Sequence, residues 1–180
     1  MKKILPIIIV FFFSNPVFAW TWEEIDQIWM HCFAYEELPV GHKYEFCGCM
    51  PQQYFLNFNS QNDVISLADR GDKIFNNDSR IINIYKTCDK RISGKKSYSG
   101  YSLDNLNLFW GTCMNEGRSK NKPIHASLAY CGCIVNELTK KIDFNKFQRI
   151  ENSLVTNQNQ TNDILYLKNN LSKTCSNKVF

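Results

Sequence analysis

Past residue 20 the sequence has no second long apolar run, which argues against a membrane-spanning helix there, since a span needs roughly 20 consecutive apolar residues. It has no large excess of one charge and no dense basic stripe, so neither a nucleic-acid surface nor a strong pull to anionic membranes is expected. The most basic stretch, KRISGKKSYSG from Lys90 to Gly100, carries two glycines and three serines and reads as a solvated linker. A Gly-rich phosphate loop, a Gly-x-Ser-x-Gly elbow and a His-Glu-x-x-His segment are all missing, and with them the local signatures of phosphate binding, acyl transfer and zinc proteolysis. No stretch alternates apolar and polar residues long enough to propose a strand.

The opening residues carry a different message. MKKILPIIIVFFFSNPVFAW has two lysines, an apolar run from Ile4 to Phe13, a polar break at Ser14-Asn15-Pro16 and the small-residue ending Val17-Phe18-Ala19. That order is the n-region, h-region and cleavage site of a secretory signal peptide, with cleavage expected after Ala19 and a periplasmic or secreted, bacterial location. No cysteine follows directly, so no lipid anchor is indicated. Loss of residues 1–19 removes Lys2 and Lys3 and lowers the formal charge from +4 to +2.

The remaining chain is rich in cysteine. Eight cysteines, an even number in an exported chain, read as a disulfide framework. Their order suggests duplication: Cys32, Cys47, Cys49 and Cys88 are followed by Cys113, Cys131, Cys133 and Cys175, at offsets of 81, 84, 84 and 87. The neighbours agree. Trp29 and Trp110 each stand three before the first cysteine, Phe46 and Tyr130 each precede a Cys-Gly-Cys motif, and both copies end in Lys-Thr-Cys.

Each copy opens with a helix signal. Thr21-Trp22-Glu23-Glu24 has the form of a capping box, and Ser102 takes the equivalent place. From these caps Trp22, Ile25, Ile28, Trp29 and Cys32, and then Leu103, Leu106, Phe109, Trp110 and Cys113, follow one stripe of a 3.6-residue helix. The pattern predicts helices over residues 22–37, from about 43 through the first Cys-Gly-Cys, over 63–70 and over 79–91. Pro51 should disturb or kink the second of these. The second copy predicts helices over 103–116, 123–141, 144–152 and 162–175, with a polar loop at NSLVTNQNQTN. The expectation is an all-α chain of two tandem disulfide-stapled units of about four helices each, 20–91 and 102–180, joined by a linker at 92–101.

The Cys-Gly-Cys motif admits a geometric test. Residues two apart on a helix point about 200 degrees apart, so Cys47 cannot pair with Cys49 unless the helix breaks at Gly48. Cys32 then pairs with one of the two and Cys88 with the other, and likewise for Cys113, Cys131, Cys133 and Cys175, with the choice between the two remaining connectivities open. Units of this size have small cores, and bridges worth roughly 3 to 4 kcal/mol each explain all eight cysteines without chemistry.

Two chemical alternatives compete. A thiol–disulfide oxidoreductase could use Cys-Gly-Cys as its dithiol, but each motif has two further cysteines in register and no helix-on-sheet pattern surrounds it. A soft-metal site could draw on Cys47, Cys49, Met50 and His31, but the second copy has Thr112 and Ile134 where the first has His31 and Met50. His31, His42 and His125 do not recur in register and read as surface or packing residues. Glu23, Glu24 and Asp26 fall in a first helical turn, where they favour the helix dipole. The stripe Trp22, Trp29 and Trp110 reads as core. The expected protein is non-catalytic, without cofactor or metal, and binds another protein as an inhibitor or immunity protein or as an accessory subunit of an envelope or secretion apparatus.

Overall fold

The computed structural model describes residues 20–94, 100–155 and 162–180. The predicted signal peptide lies outside them, as do parts of the linker and of the polar loop. The described residues form nine α-helices and no strand: α1 (Trp22–Tyr35), α2 (Val40–Asn57), α3 (Gln61–Ala68), α4 (Asp72–Asn77), α5 (Ser79–Ile92), α6 (Leu103–Ser119), α7 (Ile124–Lys141), α8 (Phe144–Val155) and α9 (Asn162–Val179).

The predicted caps are present. Thr21 accepts from the Glu24 amide at 3.2 Å while the Glu24 carboxylate takes the Thr21 amide at 2.6 Å, and Ser102 and Asn105 form the same reciprocal pair at the start of α6. The first half departs from the expected four helices by having five, because Asp72–Asn77 is too short to show an apolar period. α2 starts at Val40, earlier than read, with Pro39 just ahead of its first turn. Pro51 does not end it. The ring is fully buried, and the helix runs on to Asn57 because disulfides at Cys47 and Cys49 and contacts along its whole length hold the backbone where one amide bond is lost.

α2 and α7 form the centre. Twelve of the 18 residues of α2 and 15 of the 18 of α7 are buried, so both helices are enclosed on every side rather than along one stripe. They run antiparallel: Phe55 near the end of α2 stacks on His125 at the start of α7 with ring centroids 3.8 Å apart, and Glu45 near the start of α2 accepts from Asn136 toward the end of α7. α1 and α5 lie against α2, and α6 and α9 against α7. One apolar cluster gathers around the bridges of α2, including Phe46, Met50, Tyr54, Ile81 and Ile84. A second surrounds those of α7, including Leu106, Val135, Leu138 and Leu171, and a third, Ile25, Ile124 and Leu128, joins α1 to α7.

Candidate functional site at the paired Cys-Gly-Cys helices

All eight cysteines are bonded, in the order Cys32–Cys47, Cys49–Cys88, Cys113–Cys131 and Cys133–Cys175. The geometry therefore selects one of the two connectivities left open by the sequence. Cys47 reaches back to α1 and Cys49 reaches to α5, from opposite sides of α2; Cys131 and Cys133 do the same from α7 toward α6 and α9. Within each motif both cysteines are almost completely enclosed, at 1% exposure or less.

The glycine between each pair of cysteines faces the other central helix. A Cβ on Gly48 would strike the carbonyl oxygen of Leu128, and one on Gly132 would strike the carbonyl oxygen of Tyr44. Each glycine thus abuts the backbone four residues before the other glycine. Only hydrogen in place of a side chain permits such an approach, because neither carbonyl can retreat without dragging its helix. At this crossing the two central helices meet backbone to backbone and leave no groove between them.

The same relation recurs in the flanking helices. Trp29 of α1 and Trp110 of α6 stack on each other, centroids 4.6 Å apart and planes 12° apart, and both are half-buried. Their indole N–H groups are buried without a hydrogen-bond acceptor among the described residues. Trp22, read from sequence as core, is instead exposed at 45%, with the Arg118 guanidinium over its ring at 5.0 Å. It begins the helix, where α6 ends, and so covers that end rather than the interior.

The least expected feature is an ionic cluster near the start of α2. Glu45 is 1% exposed and is met by the Asn136 amide and by Lys178 at 3.4 Å; Lys178 also reaches Glu137 at 2.8 Å, and Lys140 and Lys141 stand at 3.8 and 3.7 Å from that carboxylate. Burial pushes Glu45 above the usual carboxylate range, with Asn136 and Lys178 pulling the other way. Glu137 is also penalised by burial, but the hydrogen bond and charge of Lys178, with Lys140 and Lys141, outweigh it and hold its pKa down. Lys178 is raised, its two carboxylate partners outweighing its own burial. A cavity of about 410 Å³ opens beside the cluster, lined by Ser93, Glu137, Lys140, Lys141 and Lys178. Three helices, α5, α7 and α9, end here, and their negative dipole ends give the lysines a structural reason to be present. The spacing of Glu137 and Lys141 was visible in the sequence, but Glu45 and Lys178 lie 133 positions apart and no local pattern joins them.

The four residues of the soft-metal alternative are not brought together as a free set. Cys47 and Cys49 are in disulfides, Met50 is buried in the first core and His31 is exposed on α1. Among the described residues no group of three or more His, Cys, Asp or Glu side chains is placed to hold a metal ion. His42 is half-buried on α2, and His125 lies against Phe55, with burial lowering its pKa. Comparison of the chain with protein-family models, with curated proteins and with solved structures finds no match.

Proposed function

We propose that this protein is an exported, non-catalytic binding module built from two tandem disulfide-stapled helical units, 20–91 and 102–180, joined at 92–101. It acts in the periplasm or outside the cell after cleavage behind Ala19. Its role is to hold a protein partner, as an inhibitor or immunity protein does, or as an accessory subunit of an envelope or secretion assembly. The observation that carries this reading is the use of every cysteine in a bridge between different helices, the same order of pairing occurring in both halves.

The main alternative, thiol–disulfide exchange at Cys-Gly-Cys, needs a sulfur that a second thiolate can approach in line. Cys47 and Cys49 are enclosed, face away from each other and are bonded to separate helices, so attack there requires α1 or α5 to detach first. Four disulfides fit an oxidising compartment, and no helix among the described residues is long and apolar enough to cross a membrane. Affinity capture from a periplasmic extract, paired with an insulin-reduction assay, tests the proposal. A specific protein partner with no reductase activity is the expected outcome; no partner together with turnover of disulfides reverses the assignment.

A further inference from the structure

A second cavity, of about 320 Å³, lies between the α1–α2 connection and α5, lined by Glu36, Leu38, Phe46, Tyr85, Lys86 and Asp89. Its floor is apolar. Phe46 is buried, Leu38 is half-buried, and the Tyr85 ring, 43% exposed, stands 6.1 Å from Phe46. Its rim is acidic: among the described residues neither Glu36 nor Asp89 has an ion-pair partner, and Lys86 is the only basic side chain lining the groove.

The local charge runs against the usual helix rule. α1 has no basic residue in its last turn and is followed at once by Glu36 and Glu37, two carboxylates set beside the negative end of the helix dipole. α6, the other helix bridged to the first cysteine of a Cys-Gly-Cys motif, ends in the opposite way. Arg118 lies in its last turn, and Lys120 neutralises Glu116 at 2.6 Å. With Glu36 and Asp89 facing a single lysine, Lys86, the rim keeps an excess of one negative charge over an apolar floor, which complements a cation carried on an apolar stem.

We propose that this groove docks an arginine side chain of the protein partner, the guanidinium lying on the Tyr85 ring and pairing with Glu36 and Asp89 while its methylenes cover Leu38 and Phe46. Arginine suits the site better than lysine because its plane stacks on an aromatic face and offers two parallel donors to a carboxylate. The fold already uses such contacts elsewhere, with Arg80 over Phe58 at 4.3 Å and Arg118 over Trp22 at 5.0 Å. The inference rests on the binding-module reading and adds to it the chemistry of the contact.

The test is an amide and aromatic NMR titration of the full mature chain with the blocked tripeptide acetyl-Leu-Arg-Leu-amide, with the norleucine analogue as control. Saturable shifts confined to Glu36, Leu38, Phe46 and Tyr85 to Asp89, with a Kd of about 1 mM or tighter, are expected, and the norleucine peptide should leave them unmoved. The double variant Glu36→Gln with Asp89→Asn, both side chains at the surface, should weaken binding at least about tenfold, a change of about 1.4 kcal/mol. No shift, shifts elsewhere, or equal shifts with norleucine overturn the groove. A partner captured equally by the wild type and the double variant also overturns it while leaving the binding module intact. Peptide binding in the groove with no partner recovered from extract keeps the groove and removes the module.

Discussion

Gly48 and Gly132 stand on facing helices, and each is pressed against the backbone four residues ahead of the other, Gly48 on Leu128 and Gly132 on Tyr44. The reciprocal contact makes the middle of each Cys-Gly-Cys motif the crossing point of the molecule. The cysteines on either side of each glycine then tie the crossing helices to their neighbours. One motif thus sets both the closest backbone approach and the covalent frame around it.

Alanine at either glycine should destabilise the fold. Alanine gains about 1 kcal/mol over glycine in helix propensity, whereas overpacking a tight contact costs typically about 1–3 kcal/mol, and here the obstructing atom is a backbone carbonyl. A net loss of about 2 kcal/mol in urea unfolding is expected for Gly48→Ala and for Gly132→Ala. A gain in either variant, as propensity alone predicts, would show that the helices stand farther apart.

The two bridges of each half should differ in worth. Cys49–Cys88 and Cys133–Cys175 close separations of 39 and 42 residues, against 15 and 18 for Cys32–Cys47 and Cys113–Cys131. The chain-entropy model assigns about 4 kcal/mol to the long pairs and about 3 to the short ones. Paired Cys→Ala replacements, compared by denaturant midpoint, should rank the long bridges as costlier; the reverse order would place the stabilisation in local packing instead.

Lys178 is the group on which the buried acids depend. Lys178→Met leaves Glu45, 1% exposed, without its only cationic hydrogen-bond partner among the described residues. Breaking a fully buried pair costs about 3–5 kcal/mol. With a third of the Lys178 side chain exposed, a loss of about 2 kcal/mol is expected once screening is discounted. The pH dependence has a definite sign. A carboxyl whose folded pKa is raised binds its proton more tightly in the folded state, so the cost of burying it is relieved as pH falls through the folded value toward the lower unfolded one. The Lys178→Met protein should therefore recover stability between neutral pH and the carboxylate range, and the added change Glu45→Gln should restore most of the loss at pH 7. A variant that weakens steadily on acidification would contradict the assignment.

His125 acts in the opposite direction. Its pKa is lowered by burial against Phe55, so the neutral form is preferred in the folded state. Its contribution is fully present above the unfolded value of about 6.5 and declines as pH falls below it toward the folded value. His125→Phe should flatten the stability profile from pH 7 to 5 relative to wild type; identical slopes would mean that the imidazole titrates as it does in water.

What the sequence disclosed and what it withheld follow from the range of each interaction. The caps at Thr21 and Ser102 and the opposed directions of Cys47 and Cys49 are consequences of helix geometry within a few residues, and the structure has both. α4 has only six residues and no period to read, and the persistence of α2 through Pro51 depends on bridges and packing that no local rule contains. The antiparallel meeting of α2 and α7, the Trp29–Trp110 stack and the Glu45–Lys178 pair join residues 70 or more positions apart. The glycines did carry a signal, since glycine inside an apolar helix marks a close approach, but not the identity of the helix approached.

The most direct test is disulfide mapping by mass spectrometry, combined with thiol titration, on the native protein. The expected result is no titratable thiol and four linked peptides joining Cys32 to Cys47, Cys49 to Cys88, Cys113 to Cys131 and Cys133 to Cys175. A reactive thiol in the folded protein, or a Cys47–Cys49 or Cys131–Cys133 linkage, would contradict it and return the Cys-Gly-Cys motifs to redox chemistry.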